Sequence, residues 1–328
     1  MQQSRRKKYP ELYSDEFIDF CLKNIVPLCP LAKNIKNKSE QNNTFKIIFI
    51  TLFIISILLI SQNGIYALIF GTIIFPCFFI CSISINFSLA KQININKEVI
   101  YPILFSYYPT CEYITSPLDI NELENKIKNL KLFYFGVDIH IYHIEDIFKI
   151  KYKDLDIEMC EIFVSSRSTE DNNLNNRNGI KEGNNIFFKI ERKNLSNEET
   201  IISSSKNQIL DFQLAEKEII NLESIEFNKK FKVYSTSQIE ARKILTPSFM
   251  EKLNDFCLLK TVRSINMSID KNSINIIISH TKNDLFEVFY LLEDTKRMFI
   301  RKLRNTLIEY REMLSLLDEL GIEHLSKI

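Results

Sequence analysis

The sequence predicts an α+β protein in which a two-helix transmembrane hairpin near the N-terminus is followed by a mainly antiparallel α+β cytoplasmic domain. Residues 45–85 are apolar and carry one charge, Lys46, and a later part of the chain contains short β-rich runs separated by turn residues. The 328 residues are 45% hydrophobic and 25% charged, as in folded proteins. We therefore expect a cytoplasmic segment over 1–44, the hairpin over 45–85 and a cytoplasmic domain over 86–328.

Composition excludes several kinds of site. The six glycines form no G-x-G and no Gly-Lys-Ser/Thr sequence, so the chain has neither a dinucleotide fingerprint nor a phosphate-binding loop. The 42 Lys and Arg residues balance 41 Asp and Glu residues, which argues against a nucleic-acid partner. The seven cysteines are scattered and form no C-x-x-C pair. We expect no cofactor, no metal site and no nucleic-acid partner.

The first 44 residues contain a predicted amphipathic helix. Apolar residues recur every four positions between Ser14 and Val26, Ser14 is a favourable N-cap, and Pro27 ends the helix. Its polar face is acidic, whereas helices that lie on membranes usually carry Lys and Arg there. We expect this helix to dock on the protein's own domain or on a partner. The basic cluster 5–8 suits either contact with anionic lipid or a solvated topology signal.

Two apolar runs form the predicted hairpin. They cover 45–61 and 65–85, and as helices they would be about 25 Å and about 31 Å long. The hydrocarbon core of a bilayer is ~30 Å thick. Between the runs lies the turn dipeptide Asn63-Gly64, which favours two antiparallel spans over one long helix. The lipid bilayer is therefore the expected partner of residues 45–85.

The charges around the hairpin predict its orientation. Residues 1–46 contain more Lys and Arg than Asp and Glu, Lys91 and Lys97 follow the second run, and the turn between the runs is uncharged. By the positive-inside rule both termini face the cytoplasm, in the cytoplasmic (inner) membrane of a bacterium. The runs contain no Asp, Glu, His or Arg, which argues against a transporter. Because mostly polar residues precede the first run, we expect it to be retained rather than cleaved as a signal peptide.

The cytoplasmic domain is predicted to begin with helices and to continue mainly as strands. Residues 87–105 continue the second span as a helix, and a short helix covers 120–128. Lys153-Asp154 separates two β-rich runs as a hairpin turn. Residues 165–185 have almost no apolar side chains and are predicted to be a mobile loop. The predicted strands are 132–135, 137–144, 146–152, 155–164, 185–191, 231–235, 263–269 and 274–279.

No catalytic residue is assigned from the sequence. His140 and His143 would need a β-bulge to share a metal with Cys160 or Glu161, because strand positions 140 and 143 lie on opposite faces. The chain contains no G-x-S-x-G sequence and no recognisable arrangement of nucleophile, base and acid. An enzymatic activity is therefore disfavoured, although it stays open.

The most informative stretch is 225–250. Ser237 and Glu240 form a capping box for a helix over 238–244, and Thr246-Pro247 begins the next helix. In this stretch the chain resembles a bacterial family of membrane proteins of unknown function, domain-of-unknown-function family 3137, in which an F-x-x-x-F-x-V-Y-S strand precedes Q-x-E-A-R and L-T-P. The matching residues are Phe227, Phe231, Val233, Tyr234, Ser235, Gln238, Glu240, Ala241, Arg242, Leu245, Thr246, Pro247 and Met250, followed by D-L-F-E at 284–287.

The resemblance implies the two-span hairpin and, more loosely, a shared fold over 86–292, and it implies no known reaction. Glu240 and Arg242 are the candidate interaction residues, although the capping box and the helix surface also explain them. With no catalytic motif, the chain is interpreted as a membrane-anchored interaction or scaffold module. Two alternatives stay open: a membrane-tethered enzyme with an unrecognised active site, and a lipid-binding or transport accessory protein.

A long amphipathic helix is predicted over 295–320. Its apolar positions recur at steps of three and four residues, and Gly321 ends it. Such a stripe usually packs in the core, and the alternative is a protein partner or self-association through this helix. The stripe consists of Phe299, Leu303, Leu307, Tyr310, Leu314 and Leu317.

Overall fold

A computed structural model of the chain forms two compact units. Unit 1 consists of residues 1–107 and 288–305, and unit 2 consists of residues 108–287 and 306–328. The structure describes residues 2–28, 96–115, 120–130, 139–166, 181–192, 198–204, 217–281 and 296–322, together with 132, 196, 214 and 286.

Unit 1 is helical in its described residues. A short 3-10 helix (Pro10–Tyr13) precedes α2, and a π-helical turn (Asn96–Ile100) precedes α3. The helices of this unit are α1 (Gln2–Lys8), α2 (Asp15–Asn24), α3 (Tyr101–Phe105) and the first part of α8 (Lys296–Leu320).

Helix α2 begins at the residue that its sequence predicts. The Oγ of Ser14 accepts a hydrogen bond from the backbone N–H of Phe17 at 3.2 Å, which satisfies one of the free donors at the helix start. Asp15 and Glu16 lie in the first turn, where negative charge interacts favourably with the helix dipole. Phe17 and Cys21 are fully buried. The helix therefore docks on its own chain, one of the two arrangements that its acidic polar face predicts.

Tyr107 packs the segment after α3 against α2. Its ring lies edge-on to the ring of Phe17, at 5.1 Å between centroids, and 5.2 Å from the ring of Phe20. Its hydroxyl donates to the carbonyl oxygen of Glu11 at 3.4 Å. Helix α2 and Tyr107, which follows α3, are therefore parts of one core.

Unit 2 is built on an antiparallel sheet, which confirms the predicted α+β class. In the described part of the chain its strands are β1 (Cys111–Ile114), β2 (Ile139–Tyr152), β3 (Leu155–Ser166), β4 (Lys181–Glu191), β5 (Thr200–Ser203), β6 (Glu218–Ile219), β7 (Lys232–Ser235), β8 (Val262–Ile269) and β9 (Ser273–His280). They lie in the spatial order β1-β2-β3-β4-β9-β8-β5-β7-β6, and each pair of neighbours is antiparallel.

The turns and helices of unit 2 follow local sequence signals. Lys153 and Asp154, at φ 48° and 64°, form the predicted hairpin turn between β2 and β3. Ser237 and Thr246 each accept a hydrogen bond at 3.3 Å from the backbone N–H three residues later, as predicted N-caps. The helices are α4 (Ile120–Asn129), α5 (Ile225–Lys230), α6 (Gln238–Ile244), α7 (Pro247–Phe256) and the rest of α8.

A row of apolar side chains crosses the sheet and forms the centre of the unit 2 core. Directly paired residues of neighbouring strands lie on the same face, so the pairing places one buried residue from each of the seven strands β2, β3, β4, β9, β8, β5 and β7 in this row. The apolar row consists of Phe148, Met159, Phe188, Ile276, Met267, Ile202 and Val233. Tyr310 of α8 covers one end of it, with its ring 5.7 Å from the ring of Phe148.

The opposite face of the sheet is also buried. Phe187 of β4 and Ile277 of β9 are paired across the strands, and they belong to a second apolar cluster that includes Ile127 of α4. Because both faces are covered, residues 185–188 of β4 and all but one residue of β9 are buried, without the alternation that half-buried strands show. In the sequence, this double burial is visible as the three consecutive isoleucines at 276–278.

Several elements differ from the sequence prediction. The runs 137–144 and 146–152 form a single strand, β2, because the bulge at Asp146 bends the strand without ending it. Strand β5 lies in the polar stretch 194–208, where four buried residues pair on both sides. Phe227 belongs to α5 rather than to a strand, and its ring stacks on that of Phe231 at 4.7 Å.

The predicted loop 165–185 is shorter than expected. Strand β3 extends to Ser166 and β4 begins at Lys181, because these two strands continue to pair beyond the apolar residues that marked them. Residues 167–180 lie outside the described residues.

The described part of the chain contains no helix that is long and apolar enough to cross a membrane. The predicted spans 45–61 and 65–85 lie outside the described residues, as does the first part of the helix predicted over 87–105. The transmembrane hairpin therefore stays a prediction.

Helix α8 buries the predicted stripe. All six stripe residues are at most 3% exposed, and Gly321 follows the helix at φ 68°, the left-handed conformation of a C-terminal glycine. This burial favours the core interpretation of the helix. A partner or self-association through α8 stays a prediction.

We expect Leu307→Ala to lower the free energy of unfolding by ~2–5 kcal/mol, because it opens a cavity at a side chain that is 0% exposed. Leu258→Ala, at a residue 69% exposed, is the matched control and should change stability little. Chemical denaturation of the full chain measures both. Unchanged unfolding of Leu307→Ala together with lost association in sedimentation would instead assign the stripe to a partner.

Candidate functional site

The structure places the two predicted interaction residues on helix α6. Glu240 receives hydrogen bonds at its carboxylate from Ser196 Oγ at 3.4 Å and from Lys243 Nζ at 2.6 Å. Its backbone N–H donates to Ser237 Oγ at 3.3 Å, as the capping box predicts. Glu240 thus connects the first turn of α6 to Ser196, and these contacts are a sufficient structural reason for a glutamate at this position.

Arg242 spans the exposed side of the same helix. Its Nε lies 3.1 Å from Glu223 Oε1, Nη1 donates to Gln238 Oε1 at 3.2 Å, and Nη2 donates to the carbonyl of Asn221 at 3.2 Å. The side chain therefore holds α6 to the segment 221–223, which leads into α5. A role of Glu240 and Arg242 in binding a partner stays a prediction.

Beside this corner, the hydroxyl groups of the sheet are satisfied within the chain. Glu199 accepts from Ser268 Oγ at 3.0 Å and pairs with Lys217 Nζ at 2.6 Å. Thr200 Oγ1 and Ser235 Oγ lie 3.1 Å apart, and both side chains are fully buried. These bonds link β5, β7 and β8, which is a structural role. None of these contacts joins a hydroxyl group to a histidine base.

Three carboxylates meet at the bulge of β2. The side chains of Glu145, Asp146 and Glu161 each offer an oxygen, and these oxygens lie within 4.8 Å of one another. Asp146 has φ 52°, a left-handed conformation that Asp tolerates, and it accepts a hydrogen bond from Tyr113 Oη at 2.8 Å. Oxygen donors of this kind suit a hard divalent cation. Each of the three also takes part in a further interaction within the chain, so none is reserved for a ligand.

The cysteines of the described residues are not placed as nucleophiles. Burial raises the pKa of Cys160 well above its ordinary value, and it raises the pKa of Cys21 to about 12, although Arg304 opposes that second shift. Such thiols stay protonated at neutral pH, whereas a reactive cysteine needs the thiolate. The backbone of β2 has a register shift between Ile141 and His143, and the side chains of His140 and His143 lie outside the described residues.

Two clefts on unit 2 mix charges of both signs. One, of about 560 Å³, includes Glu112, Lys149 and Asp156, and the other, of about 740 Å³, includes Lys189, Arg192 and Asp270. Acidic and basic groups in the same cleft offset one another, so neither cleft selects a ligand by charge.

A groove in unit 1 has a different character, because the charged side chains among its described lining residues are all arginines. It has a volume of about 790 Å³. One arginine comes from α1 and three come from α8, and we call this the arginine groove. Its charged residues are Arg6, Arg297, Arg301 and Arg304.

The fold holds Arg304 in a fixed position. Its Nε donates to the carbonyl oxygen of Leu12 at 2.7 Å, and its guanidinium lies 4.4 Å from the ring centroid of Tyr13. The ring of Phe17 is 5.9 Å away. Burial, and to a smaller extent the positive charge of Arg6, lowers the pKa of Arg304 from its ordinary value. Arginine nevertheless stays charged at neutral pH.

The other three arginines are exposed. Among the described residues, no carboxylate lies within 4.0 Å of Arg6, Arg297 or Arg301. Arg304 likewise has no ion pair there. Like charges on one groove repel one another, so this arrangement raises the affinity of the groove for an anion.

Part of this site is visible in the sequence. Arg297, Arg301 and Arg304 are spaced by four and three residues, which places them on one face of the predicted helix. The basic cluster 5–8 is visible as well, but the sequence does not indicate that Arg6 joins the α8 arginines. That contact depends on the packing of segments almost 300 positions apart in the chain.

Among the described residues, the groups whose pKa values shift most are thiols and phenols. These groups lose their protons at alkaline pH, so we expect them to change the stability of the chain there rather than at acidic pH. Burial raises the pKa of Cys111 from 9.0 to about 12, while the hydrogen bond from Tyr310 opposes the shift. The unfolded chain therefore releases this proton first, so stability is full below pH 9 and falls as pH rises toward 12.

We expect Cys111→Ala to reduce this alkaline loss. The slope of unfolding free energy against pH above 9 should become shallower by up to ~1.4 kcal/mol per pH unit. The rest of the slope should remain, because burial also raises the pKa values of Cys21, Cys160, Tyr152 and Tyr310. Urea unfolding between neutral and alkaline pH measures the slope. Parallel curves for the variant and the parent chain would contradict the assignment.

Comparison with known proteins identifies one region. Residues 184–322 match a family described as protein of unknown function (DUF3137). The family resemblance is thus confirmed over a part of the chain that contains the 225–250 corner and helix α8, including three of the groove arginines. No curated protein matches the chain at a significant level.

Proposed function

With residues 184–322 matched to a family of unknown function, we propose that the chain is a membrane-anchored interaction module of the bacterial inner membrane. In this proposal residues 45–85 form a two-span anchor in the lipid bilayer. Both compact units, and both termini, lie on the cytoplasmic side, where the folded surfaces engage a partner.

One observation carries the proposal: both flanks of the apolar segment belong to the same folded unit. Phe17 and Phe20 of α2, before the segment, pack on Tyr107, which follows it. Two segments in one core must lie on the same side of a membrane. The chain between them must then cross the bilayer an even number of times or not at all.

The sequence between these flanks contains two apolar runs, 45–61 and 65–85. Two runs long enough to span, with a turn dipeptide between them, fit the even number that the shared core requires. A single long span, or three spans, would separate α2 from Tyr107. The fold of unit 1 therefore supports the hairpin topology independently of the charge rule.

The interaction assignment rests on how the polar groups of unit 2 are used. The described hydroxyl groups around β5 and the motif residue Arg242 have partners within the chain, and the buried thiols have raised pKa values. A module that binds rather than transforms needs surfaces and no activated nucleophile. These observations support an interaction module over a membrane-tethered enzyme.

Cysteine labelling in intact cells tests the topology. In a background without other reactive cysteines, Glu16→Cys and Ser106→Cys place thiols at exposed positions of unit 1 on either side of the anchor. A membrane-impermeant maleimide should label both only after the inner membrane is permeabilised. Asn63→Cys, in the predicted turn, is the matched control and should be labelled in intact cells.

Carbonate extraction of the same membranes tests the anchor itself, since an integral protein stays in the pellet. Labelling of Glu16→Cys and Ser106→Cys from opposite sides would overturn the hairpin. Labelling of both from the outside would show the opposite orientation. Release of the protein by carbonate would show that residues 45–85 do not anchor it in the bilayer.

A further inference from the structure

We propose that the arginine groove binds the phosphate group of an anionic phospholipid headgroup. This inference goes beyond the interaction module by naming the chemistry of a partner, and the choice of a lipid rests on the proposed membrane anchor. It is carried by the geometry of unit 1.

The first step is charge. Arg6, Arg297, Arg301 and Arg304 face one groove, and in the described residues none of them is paired with a carboxylate. A guanidinium presents donors in a planar fork that matches phosphate oxygens, so several on one groove favour a phosphate over a monovalent inorganic anion.

The second step is preorganisation. The Nε of Arg304 is already used by the carbonyl of Leu12, and Tyr13 lies against its guanidinium. Among the described contacts its two Nη groups have no hydrogen-bond acceptor. Arg304, which is half-buried, is therefore held in place in the lining of the groove with donors still to be satisfied, while Arg297 and Arg301 are exposed and can adjust.

The third step concerns the apolar part of the lining. Ile18, Met298 and Ile300 lie beside the arginines, and Met298 is 40% exposed although it is a large apolar side chain. A free phosphate would gain nothing from these side chains. A phospholipid places glycerol and acyl carbons directly next to its phosphate, so it matches both halves of the groove.

The fourth step is distance. The described parts of unit 1 end at residue 28 and resume at residue 96, and the predicted spans occupy 45–61 and 65–85. The connection after the second span can extend to about 40 Å at most, because an extended chain covers about 3.5 Å per residue. Unit 1 is therefore tethered close to the bilayer surface, where anionic headgroups are concentrated.

Lipid titration of the full chain tests the inference. The purified protein in mild detergent is titrated with phosphatidylglycerol or phosphatidylcholine, and native mass spectrometry counts the bound lipids. We expect the parent chain to retain one phosphatidylglycerol in preference to phosphatidylcholine. Arg297→Gln combined with Arg301→Gln should weaken that binding by roughly ten- to thirty-fold, the effect of two basic residues near an anionic headgroup.

A charge-matched control separates the groove from general electrostatics. Arg263→Gln combined with Lys271→Gln removes the same charge from exposed positions of unit 2 and should leave phosphatidylglycerol binding unchanged. Both double variants replace exposed side chains, so their urea unfolding midpoints should equal that of the parent chain. Equal loss of binding in both variants, or none in the groove variant, would overturn the proposal.

Two further measurements complete the test. One distinguishes a lipid from a soluble phosphate as the ligand, and the other distinguishes failure of the groove inference from failure of the membrane anchor. Inorganic phosphate and glycerol 3-phosphate are added as competitors, and displacement of the lipid at micromolar levels would replace the lipid by a soluble phosphate ligand. Carbonate extraction of the variants is scored separately. A chain that stays in the membrane but shows no preference for phosphatidylglycerol refutes the groove inference and leaves the anchor standing.

Discussion

Helix α8 must bury one apolar stripe along its length, and each compact unit contains a part of that stripe in its core. Its first ten residues belong to unit 1, where Phe299 and Leu303 are buried. Its remaining residues belong to unit 2, where Tyr310 covers the end of the apolar row at Phe148. Because the face opposite the stripe is exposed, the arginines of the first turns are presented to solvent rather than to the core.

The two units differ in how their charged and polar groups are paired, and the overall composition of the chain does not show this difference. The chain as a whole has a formal net charge of +1. In unit 2, clefts and buried hydroxyl groups are compensated locally, as at Glu199, which holds Lys217 and Ser268. In unit 1, the arginine groove gathers positive charge without a carboxylate among its lining residues. A balanced total therefore conceals a local excess of positive charge, and it is the local excess that a diffusing or membrane-bound anion experiences.

The packing of unit 1 also constrains the part of the chain that the structure does not describe. Glu11 and Tyr107 are joined by a hydrogen bond across 96 positions, with aromatic contacts from α2 beside it. Ends held this closely cannot lie on opposite sides of a bilayer. The charge pattern of the flanks and the contact between α2 and Tyr107 are therefore independent observations that agree on one side of the membrane for both flanks.

By itself the sequence determined what depends on neighbouring residues. Ser14, Ser237 and Thr246 mark helix starts because a hydroxyl satisfies a free N–H three residues later, and the stripe of α8 marks a buried face because its period matches the helix. Only the tertiary structure decided what depends on distant residues. Strand β5 exists because β7 and β8 pair on its two edges. Glu145 meets Glu161 because β2 and β3 pair directly at these residues, and Arg6 of α1 lines the same groove as Arg304 of α8. These are contacts between residues far apart in the chain, and local patterns carry no record of them.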